Sequence, residues 1–258
     1  MSTWSSLFGK DRPTTGISLS GGAVYGAAHV GVLKAIEEKG IEINAIAGTS
    51  IGAFIGALYA FGMTSDEIRL AILDVDWLDI SSVSLSQYGL LSNRKMGKFL
   101  EKHIGKARFE DARMKFDVVA TDISNGEIVV LNSGSVIEAV VASASIPGIF
   151  KPVELDGRLL ADGGIVENLP ITPLLKRGVD RIIAVDLNSR QQTKKPENII
   201  ELLLNAFHFT LLNASRIGAS DADLLIQPDL SRFNRFDTRQ TKGLLEAGYA
   251  EAKKVLES

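Results

Sequence analysis

A serine stands between two glycines in the segment Gly48-Thr49-Ser50-Ile51-Gly52. The segment follows an apolar run typical of a strand and opens an apolar run typical of a helix. A Gly-x-Ser-x-Gly turn at such a junction is typical of an elbow that presents a serine hydroxyl for attack on a carbonyl carbon. The same residues also fit an ordinary tight turn between two buried elements. Ser50 is therefore a candidate nucleophile whose role depends on the rest of the chain.

A second glycine-rich turn, Ser20-Gly21-Gly22-Ala23-Val24-Tyr25-Gly26, also joins a strand-like run to a helix-like run. It lacks the Gly-x-Gly start of a dinucleotide-binding fingerprint. The backbone N–H groups of Gly21, Gly22 and Ala23 could instead form an oxyanion hole, which needs two or more donors aimed at a developing negative oxygen. A turn that serves only packing is the alternative.

A serine nucleophile needs a base, and histidine is the usual one. The chain has three histidines, His29, His103 and His208. Their contexts favour a core position for His29, a helix end for His103, and a helix surface or packing position for His208. The carboxylate of Asp162, in Leu160-Ala161-Asp162-Gly163-Gly164, is the other candidate. A group with a pKa near 4 is a poor base unless the site is dry or the geometry is close, and Asp-Gly-Gly is often only a turn.

The elements around these turns predict an α/β fold. Short, nearly all-apolar strands are predicted at residues 17–19 and 43–47, and helices at 27–39 and 51–61. This order is typical of a parallel sheet that is covered on both faces. Further strands are predicted at 117–120, 128–131, 181–185 and 223–226, and further helices at 198–217 and 238–256. A hairpin is predicted at 152–161 with Asp156-Gly157 as its turn, and an exposed loop at 189–197. Thr64 and Glu67 have the spacing of a capping box at a helix start.

The composition limits the class of protein. The 258 residues are 45% hydrophobic and 23% charged, which is ordinary for a globular protein. A net charge of -3 without a long basic run argues against a nucleic-acid partner. The absence of cysteine excludes disulfides, thiol catalysis and cysteine zinc sites. Residues 1–16 lack the pattern of a secretory signal and the longest apolar run is too short to span a membrane, so we expect a cytoplasmic location.

Three motifs together resemble the patatin-like phospholipase family. They are the glycine-rich turn after the first strand, the Gly-x-Ser-x-Gly elbow after the next strand, and the distant Asp162-Gly163-Gly164. The likeness covers residues 16–188, with a weaker echo at 223–250. Other stretches that agree are Ala120-Thr121-Asp122 with Gly126-Glu127, residues 142–150, and Asn168 with Pro170.

The resemblance implies a three-layer α/β/α patatin-like fold with a mainly parallel central sheet. It implies one domain at residues 16–258 after an N-terminal tail at 1–15. The implied activity is serine hydrolysis of a fatty-acyl ester or phospholipid, of the phospholipase A, lysophospholipase or esterase type. No metal and no cofactor are expected, and no oligomeric state is predicted.

The resemblance also implies roles for individual residues. Ser50 is the expected nucleophile and Asp162 its base, so that no histidine is needed. The amides of Gly21, Gly22 and Ala23 are the expected oxyanion hole.

Two positions depart from the family's turn, which reads Gly-Gly-Gly-x-Arg-Gly or has lysine at the basic position. Ala23 replaces the third glycine, and Tyr25 replaces the basic residue. The departure motivates an alternative, a catalytically weak protein that binds lipid or a protein partner as a regulator. A nucleotide-binding α/β protein is a third hypothesis, which the spacing of the glycine turn disfavours.

Peripheral contact with a membrane is a further hypothesis, because Trp4, Leu7 and Phe8 could insert at a lipid interface. A packed or frayed tail is the alternative for these residues. The apolar, serine-rich segment 78–92 is the predicted cover of the active site.

Overall fold

A sheet of eight strands forms the centre of this computed structural model, which describes residues 13–73, 82–86, 89–189, 195–234 and 237–257. The strands in chain order are β1 (Thr15–Leu19), β2 (Ala45–Thr49), β3 (Ser82–Ser86), β4 (Gly89–Ser92), β5 (Lys115–Asp122), β6 (Glu127–Leu131), β7 (Gly148–Phe150), β8 (Val153–Leu155), β9 (Arg158–Asp162), β10 (Arg181–Val185) and β11 (Leu224–Ile226). The helices are α1 (Ala27–Glu38), α2 (Ile51–Ala60), α3 (Ser65–Leu73), α4 (Arg94–Ile104), α5 (Val136–Ser143), α6 (Thr172–Arg177), α7 (Ile199–Gly218) and α8 (Thr241–Glu257).

The central sheet has the order β11-β10-β1-β2-β5-β9-β8, and β6 pairs with the opposite edge of β5. Strands β11, β10, β1, β2 and β5 run parallel to one another. Strands β6 and β9 are antiparallel to β5, and β8 is antiparallel to β9. Strands β3, β4 and β7 form a separate small sheet. The mainly parallel sheet that the sequence predicts is confirmed, with an antiparallel part beyond β5.

Two apolar cores lie on the two faces of the parallel strands. Ile46 of β2 and Ile183 of β10 belong to the larger core, which includes residues of α1, α2 and α8. Ala47 and Ala184, the next residues along the same strands, belong to the smaller core with Leu174 of α6. Successive residues of a strand point to opposite faces of a sheet. Both faces are therefore covered, and the three-layer α/β/α arrangement is confirmed.

Several predicted elements lie close to their predicted positions. Strand β10 coincides with its prediction, and Asp156 and Gly157 have the positive φ values of 50° and 74° that a two-residue hairpin turn requires. Thr64 N–H donates to Glu67 Oε2 at 2.8 Å, and Glu67 N–H donates to Thr64 Oγ1 at 3.3 Å, which is the predicted capping box. Strand β2 lies two residues later than predicted, and it therefore leads directly into Ser50.

Some elements of the structure were not predicted, or were predicted with different bounds. The small β3-β4-β7 sheet and the short helices α5 and α6 have no counterpart in the sequence prediction, because segments of three to eight residues carry too few apolar repeats to reveal their period. Strand β1 begins at Thr15, one residue before the predicted start of the domain. Trp4, Leu7 and Phe8 lie outside the described residues.

Helix α8 packs directly against α1 through glycines. A Cβ atom added at Gly31 of α1 would collide with the Leu245 carbonyl, and one added at Gly248 of α8 would collide with the Ala28 carbonyl. The two helix backbones therefore approach each other more closely than residues with side chains would allow. This contact joins the C-terminal helix to the layer that covers the sheet.

Candidate active site

The C-terminal ends of β2 and β9 meet on one edge of β5. Thr49, the last residue of β2, pairs with Val119, and Asp162, the last residue of β9, pairs with the next residue, Ala120. Strand β2 is parallel to β5 whereas β9 is antiparallel to it, so the two strands approach each other end to end. Ser50 directly follows Thr49, and the strand register therefore places it beside Asp162.

Ser50 has φ 54° and ψ −122°, a conformation that residues other than glycine rarely adopt. Its N–H donates to Ser143 Oγ at 2.8 Å, and the Ser143 hydroxyl donates to the Val119 carbonyl at 2.6 Å. A Cβ atom at Gly52 would collide with the Leu19 carbonyl, so the second glycine of the motif is required by close packing. A strained residue between a strand and a helix is typical of a nucleophile elbow.

The Ser50 hydroxyl donates a hydrogen bond of 2.7 Å to Asp162 Oδ2. The other carboxylate oxygen, Oδ1, accepts the Gly164 N–H at 2.8 Å. The Asp162 backbone is also fixed, since its N–H donates to the Ser145 carbonyl at 2.9 Å and its carbonyl accepts the Thr121 hydroxyl at 2.9 Å. The carboxylate is therefore held in one orientation toward the serine.

Burial raises the pKa of Asp162 to about 7, although the hydrogen bonds from Ser50 and Gly164 act to lower it. The side chain is fully buried, and loss of hydration disfavours the charged carboxylate. A general base is most effective when its pKa is near the working pH. The structure therefore supplies the dry environment that a carboxylate base requires.

Three hydrogen bonds fix Ser20 at the end of β1. Its N–H donates to the Val185 carbonyl at 3.1 Å, and its hydroxyl accepts the Leu187 N–H at 3.0 Å. Its carbonyl accepts the Nε2–H of His29 at 2.8 Å. Burial lowers the His29 pKa to about 4, so the ring is neutral at pH 7. His29 is buried in the core, as predicted, and it also anchors the glycine turn.

The three amides predicted to form the oxyanion hole are not equivalent. The Gly21 N–H donates to the Asn168 carbonyl at 3.2 Å, and the Gly21 carbonyl accepts the Asn188 Nδ2–H at 2.7 Å. The Gly21 N–H is therefore engaged in anchoring the turn in this structure. Within the described part of the chain, the N–H groups of Gly22 and Ala23 have no acceptor, and both residues line the cleft beside Ser50.

The two positions that depart from the family's turn also line this cleft. Ala23 has φ 49°, in the left-handed region that favours glycine. Tyr25 is buried, and its hydroxyl donates to the Phe233 carbonyl at 3.0 Å. The residue that replaces the basic side chain is therefore anchored to the C-terminal part of the chain.

A small cleft of about 90 Å³ opens over Ser50. The glycine turn forms one side, and α7 contributes Leu204, Phe207, His208 and Leu211. His208 is buried and lies in the lining of the cleft, so the alternative of a helix-surface position is wrong. The lining from α7 is mainly apolar, which suits a hydrocarbon chain.

Helix α7 covers the site, a role that no motif in the sequence predicted. The predicted cover was the segment 78–92. Of this segment the structure describes only the backbone of residues 82–86 and 89–92, and residues 78–81 and 87–88 lie outside the described part. The available signal for α7 was the density of large apolar residues in its first three turns, which is more than a single buried face requires.

The described residues contain no group of three or more histidine, aspartate or glutamate side chains that could hold a metal ion. They also contain no helix with both the length and the apolar character that crossing a membrane requires.

Comparisons with known sequences agree on one family. A family model described as "Patatin-like phospholipase" matches residues 17–175. An uncharacterized NTE family protein of Mycobacterium tuberculosis is 35% identical over 185 residues, which are 71% of this chain and 51% of that protein. The lysophospholipase NTE1 of Pyricularia oryzae is 36% identical over 185 residues, 68% of this chain and 12% of that protein. The chain thus spans about half the length of the first relative and far less of the second.

Two solved structures share the fold. VipD from Legionella pneumophila matches with a TM-score of 0.59 at 15% identity, over 95% of this chain and 67% of that chain. ExoU, in its heterodimeric complex with SpcU from Pseudomonas aeruginosa, matches with a TM-score of 0.52 at 19% identity, over 95% of this chain and 51% of that chain. At these identities the likeness concerns the fold alone.

Proposed function

Because this chain belongs to the patatin-like phospholipase family, we propose that it is a serine hydrolase of lipid acyl esters, of the phospholipase A, lysophospholipase or esterase type. The observation that carries the proposal is the 2.7 Å hydrogen bond from the Ser50 hydroxyl to the buried Asp162 carboxylate. A serine in this contact can transfer its proton as its oxygen attacks a carbonyl carbon. The lysophospholipase name of one relative supports the lipid substrate.

The proposed reaction has two steps. Asp162 accepts the proton of Ser50 while Ser50 Oγ bonds to the acyl carbonyl carbon, and the amides of Gly22 and Ala23 stabilise the oxyanion. The alcohol then leaves with the proton from Asp162, and an acyl-serine forms. Water gives a proton to Asp162 and attacks the acyl-serine, after which the tetrahedral intermediate collapses, the fatty acid leaves, and Ser50 regains its proton.

Two features of the environment of Ser50 favour this reaction. Ser50 occupies the N-cap of α2, where the helix dipole stabilises negative charge on the serine oxygen and on the intermediate. The apolar side chains of Leu204, Phe207 and Leu211 provide a surface for the acyl chain. The catalytic groups and the chain-binding surface thus belong to one cleft.

The decisive test combines labelling and turnover. We expect a tagged fluorophosphonate to form an adduct on Ser50, located by peptide mass spectrometry. Ser50→Ala should lose at least about a thousandfold in kcat/KM on a soluble short-chain ester, because no nucleophile remains. The matched control is Ser18→Ala, since the Ser18 hydroxyl is buried in β1 and has no hydrogen-bond partner in the described residues. Full activity of Ser50→Ala, or an adduct elsewhere, would contradict the proposal.

The alternative is a catalytically weak member that binds lipid or a protein partner. It is favoured by one observation, the presence of Ala23 with φ 49° where the family's turn has glycine. Turnover of a lysophospholipid or short acyl ester at ordinary enzymatic rates would eliminate this alternative. Binding of lipid without turnover, with the fold intact by circular dichroism, would favour it.

A further inference from the structure

Helix α7 exposes large apolar side chains to solvent as well as to the cleft. Ile199 is 64% exposed, and Leu202, Leu203 and Phe209 are 51%, 39% and 51% exposed. Their spacing places them on one side of the helix. We call these four residues the α7 apolar face. An exposed apolar patch next to a binding cleft typically marks an interaction surface.

The opposite side of the same helix faces the catalytic cleft through Leu204, Phe207 and Leu211. One helix therefore separates the cleft from the solvent and is apolar on both sides. A lipid that meets the α7 apolar face is within one helix diameter, about 10 Å, of the cleft that would receive its acyl chain.

The α7 apolar face carries no charge of its own. Glu201 is the one charged residue in the sequence from 199 to 215. Its carboxylate accepts the Glu197 N–H at 2.9 Å and the Asn198 Nδ2–H at 3.0 Å, so it is turned back toward the start of the helix. Attraction to this surface must therefore come from burial of apolar area.

We propose that the α7 apolar face docks on the surface of a lipid bilayer and brings the cleft to its substrate; this inference rests on the proposed function. The four side chains expose on the order of 400 Å² of apolar surface, about half of the ~800 Å² per partner that a stable protein interface buries. A bilayer needs no complementary shape, and an amphipathic helix can lie in its interface with the apolar side submerged. The α7 apolar face lies on the same helix that lines the cleft. This position favours a lipid surface, which supplies the substrate of the cleft, over a second copy of the chain as the occupant of the face.

The proposal is tested by vesicle flotation with the full 258-residue Ser50→Ala chain, which removes turnover from the measurement. We expect it to bind phosphatidylcholine vesicles, and we expect the double substitution Leu202→Ser with Phe209→Ser to lower the partition coefficient at least tenfold. The matched control is Leu175→Ser on α6, because Leu175 is 50% exposed but lies on another helix. The control should change partition less than twofold.

Salt provides an independent readout. Because the face is uncharged, partition should change less than twofold between 0.1 and 0.5 M salt, although the electrostatic screening length becomes about twofold shorter. A steep loss in salt would mean that cationic residues elsewhere carry the binding and would overturn the proposal. Circular dichroism verifies the fold of each variant, and the single substitution Leu202→Asn serves if the double variant is not folded.

Three further outcomes would overturn the proposal. One is failure of the Ser50→Ala chain to bind vesicles, and another is equal loss of binding in the α7 and Leu175 variants. The third is a dimer in analytical ultracentrifugation that dissociates only in the α7 double variant, which would identify a self-interface. Hydrolysis of a soluble ester by the wild-type chain needs no bilayer. This assay therefore tests the proposed function independently of the vesicle flotation that tests the docking of α7.

Discussion

The carboxylate of Asp162 is fully buried and is oriented by hydrogen bonds from Ser50 and Gly164. Burial raises its pKa to about 7, and only the ionised form can accept the serine proton. We therefore expect kcat/KM on a soluble ester to rise with pH and to level off above about 7. A pH–rate profile that is flat between pH 5 and 8 would contradict the assignment of Asp162 as the base.

The same carboxylate makes the stability of the fold depend on pH. The pKa is raised from 3.8 to about 7 in the folded chain, so the folded state binds more protons between these values. Stability therefore falls as the pH rises from about 4 to about 7, by up to about 4 kcal/mol for such a shift. Asp162→Asn should stabilise the fold more at pH 8 than at pH 5 while abolishing turnover. Urea unfolding at both pH values measures this difference, and an equal effect at both would contradict it.

Ala23 is strained by its φ of 49°. The left-handed region costs an L-residue roughly 1–2 kcal/mol, which glycine avoids, although glycine adds about 0.4–1 kcal/mol of unfolded-state entropy. Ala23→Gly should therefore stabilise the fold by about 1 kcal/mol or less in urea unfolding, with the proposed N–H donor kept. Ala27→Gly, at φ −58°, is the control and should destabilise it. Loss of stability in Ala23→Gly would show that the alanine methyl contributes favourable packing.

At the scale of elements, the glycines between α1 and α8 set how closely these helices pack. Gly248→Ala should destabilise the fold by about 1–2 kcal/mol, since the overlap with the Ala28 carbonyl outweighs the helix propensity of alanine. The control is Gly218→Ala near the end of α7, where the added Cβ would meet its nearest neighbour at 3.5 Å. Thermal unfolding should give a lower melting temperature for Gly248→Ala than for Gly218→Ala. Equal melting temperatures would mean that α8 can shift away from α1 without loss of stability.

The sequence predicts well those elements whose residues carry a local pattern. Strand β10, the Asp156-Gly157 hairpin and α7 are predicted because alternation, turn chemistry and helical spacing reside within each segment. The juxtaposition of Ser50 and Asp162 follows from the family motifs. In contrast, the anchoring of Gly21 by Asn168 and the place of His208 in the cleft depend on tertiary packing between distant segments, which local periodicity does not encode.

At the scale of the whole molecule, the larger core contains Ile17 of β1 as well as Leu256 of α8. We propose on this ground that residues 16–258 form a single domain. Unfolding in urea should then be one cooperative transition, with the same midpoint by far-UV circular dichroism and by loss of ester hydrolysis. Two separated transitions would contradict a single domain.

The meeting of β2 and β9 on β5 has a consequence for the newly made protein. Ser50 and Asp162 are 112 residues apart in the chain, and the strand that aligns them lies between them in sequence. While the ribosome is still translating, the serine emerges long before its partner, and the reactive pair is assembled only after Asp162 has left the exit tunnel and β9 has joined the sheet. A chain whose synthesis stops before β9 therefore lacks the serine–aspartate pair on which the proposed activity depends.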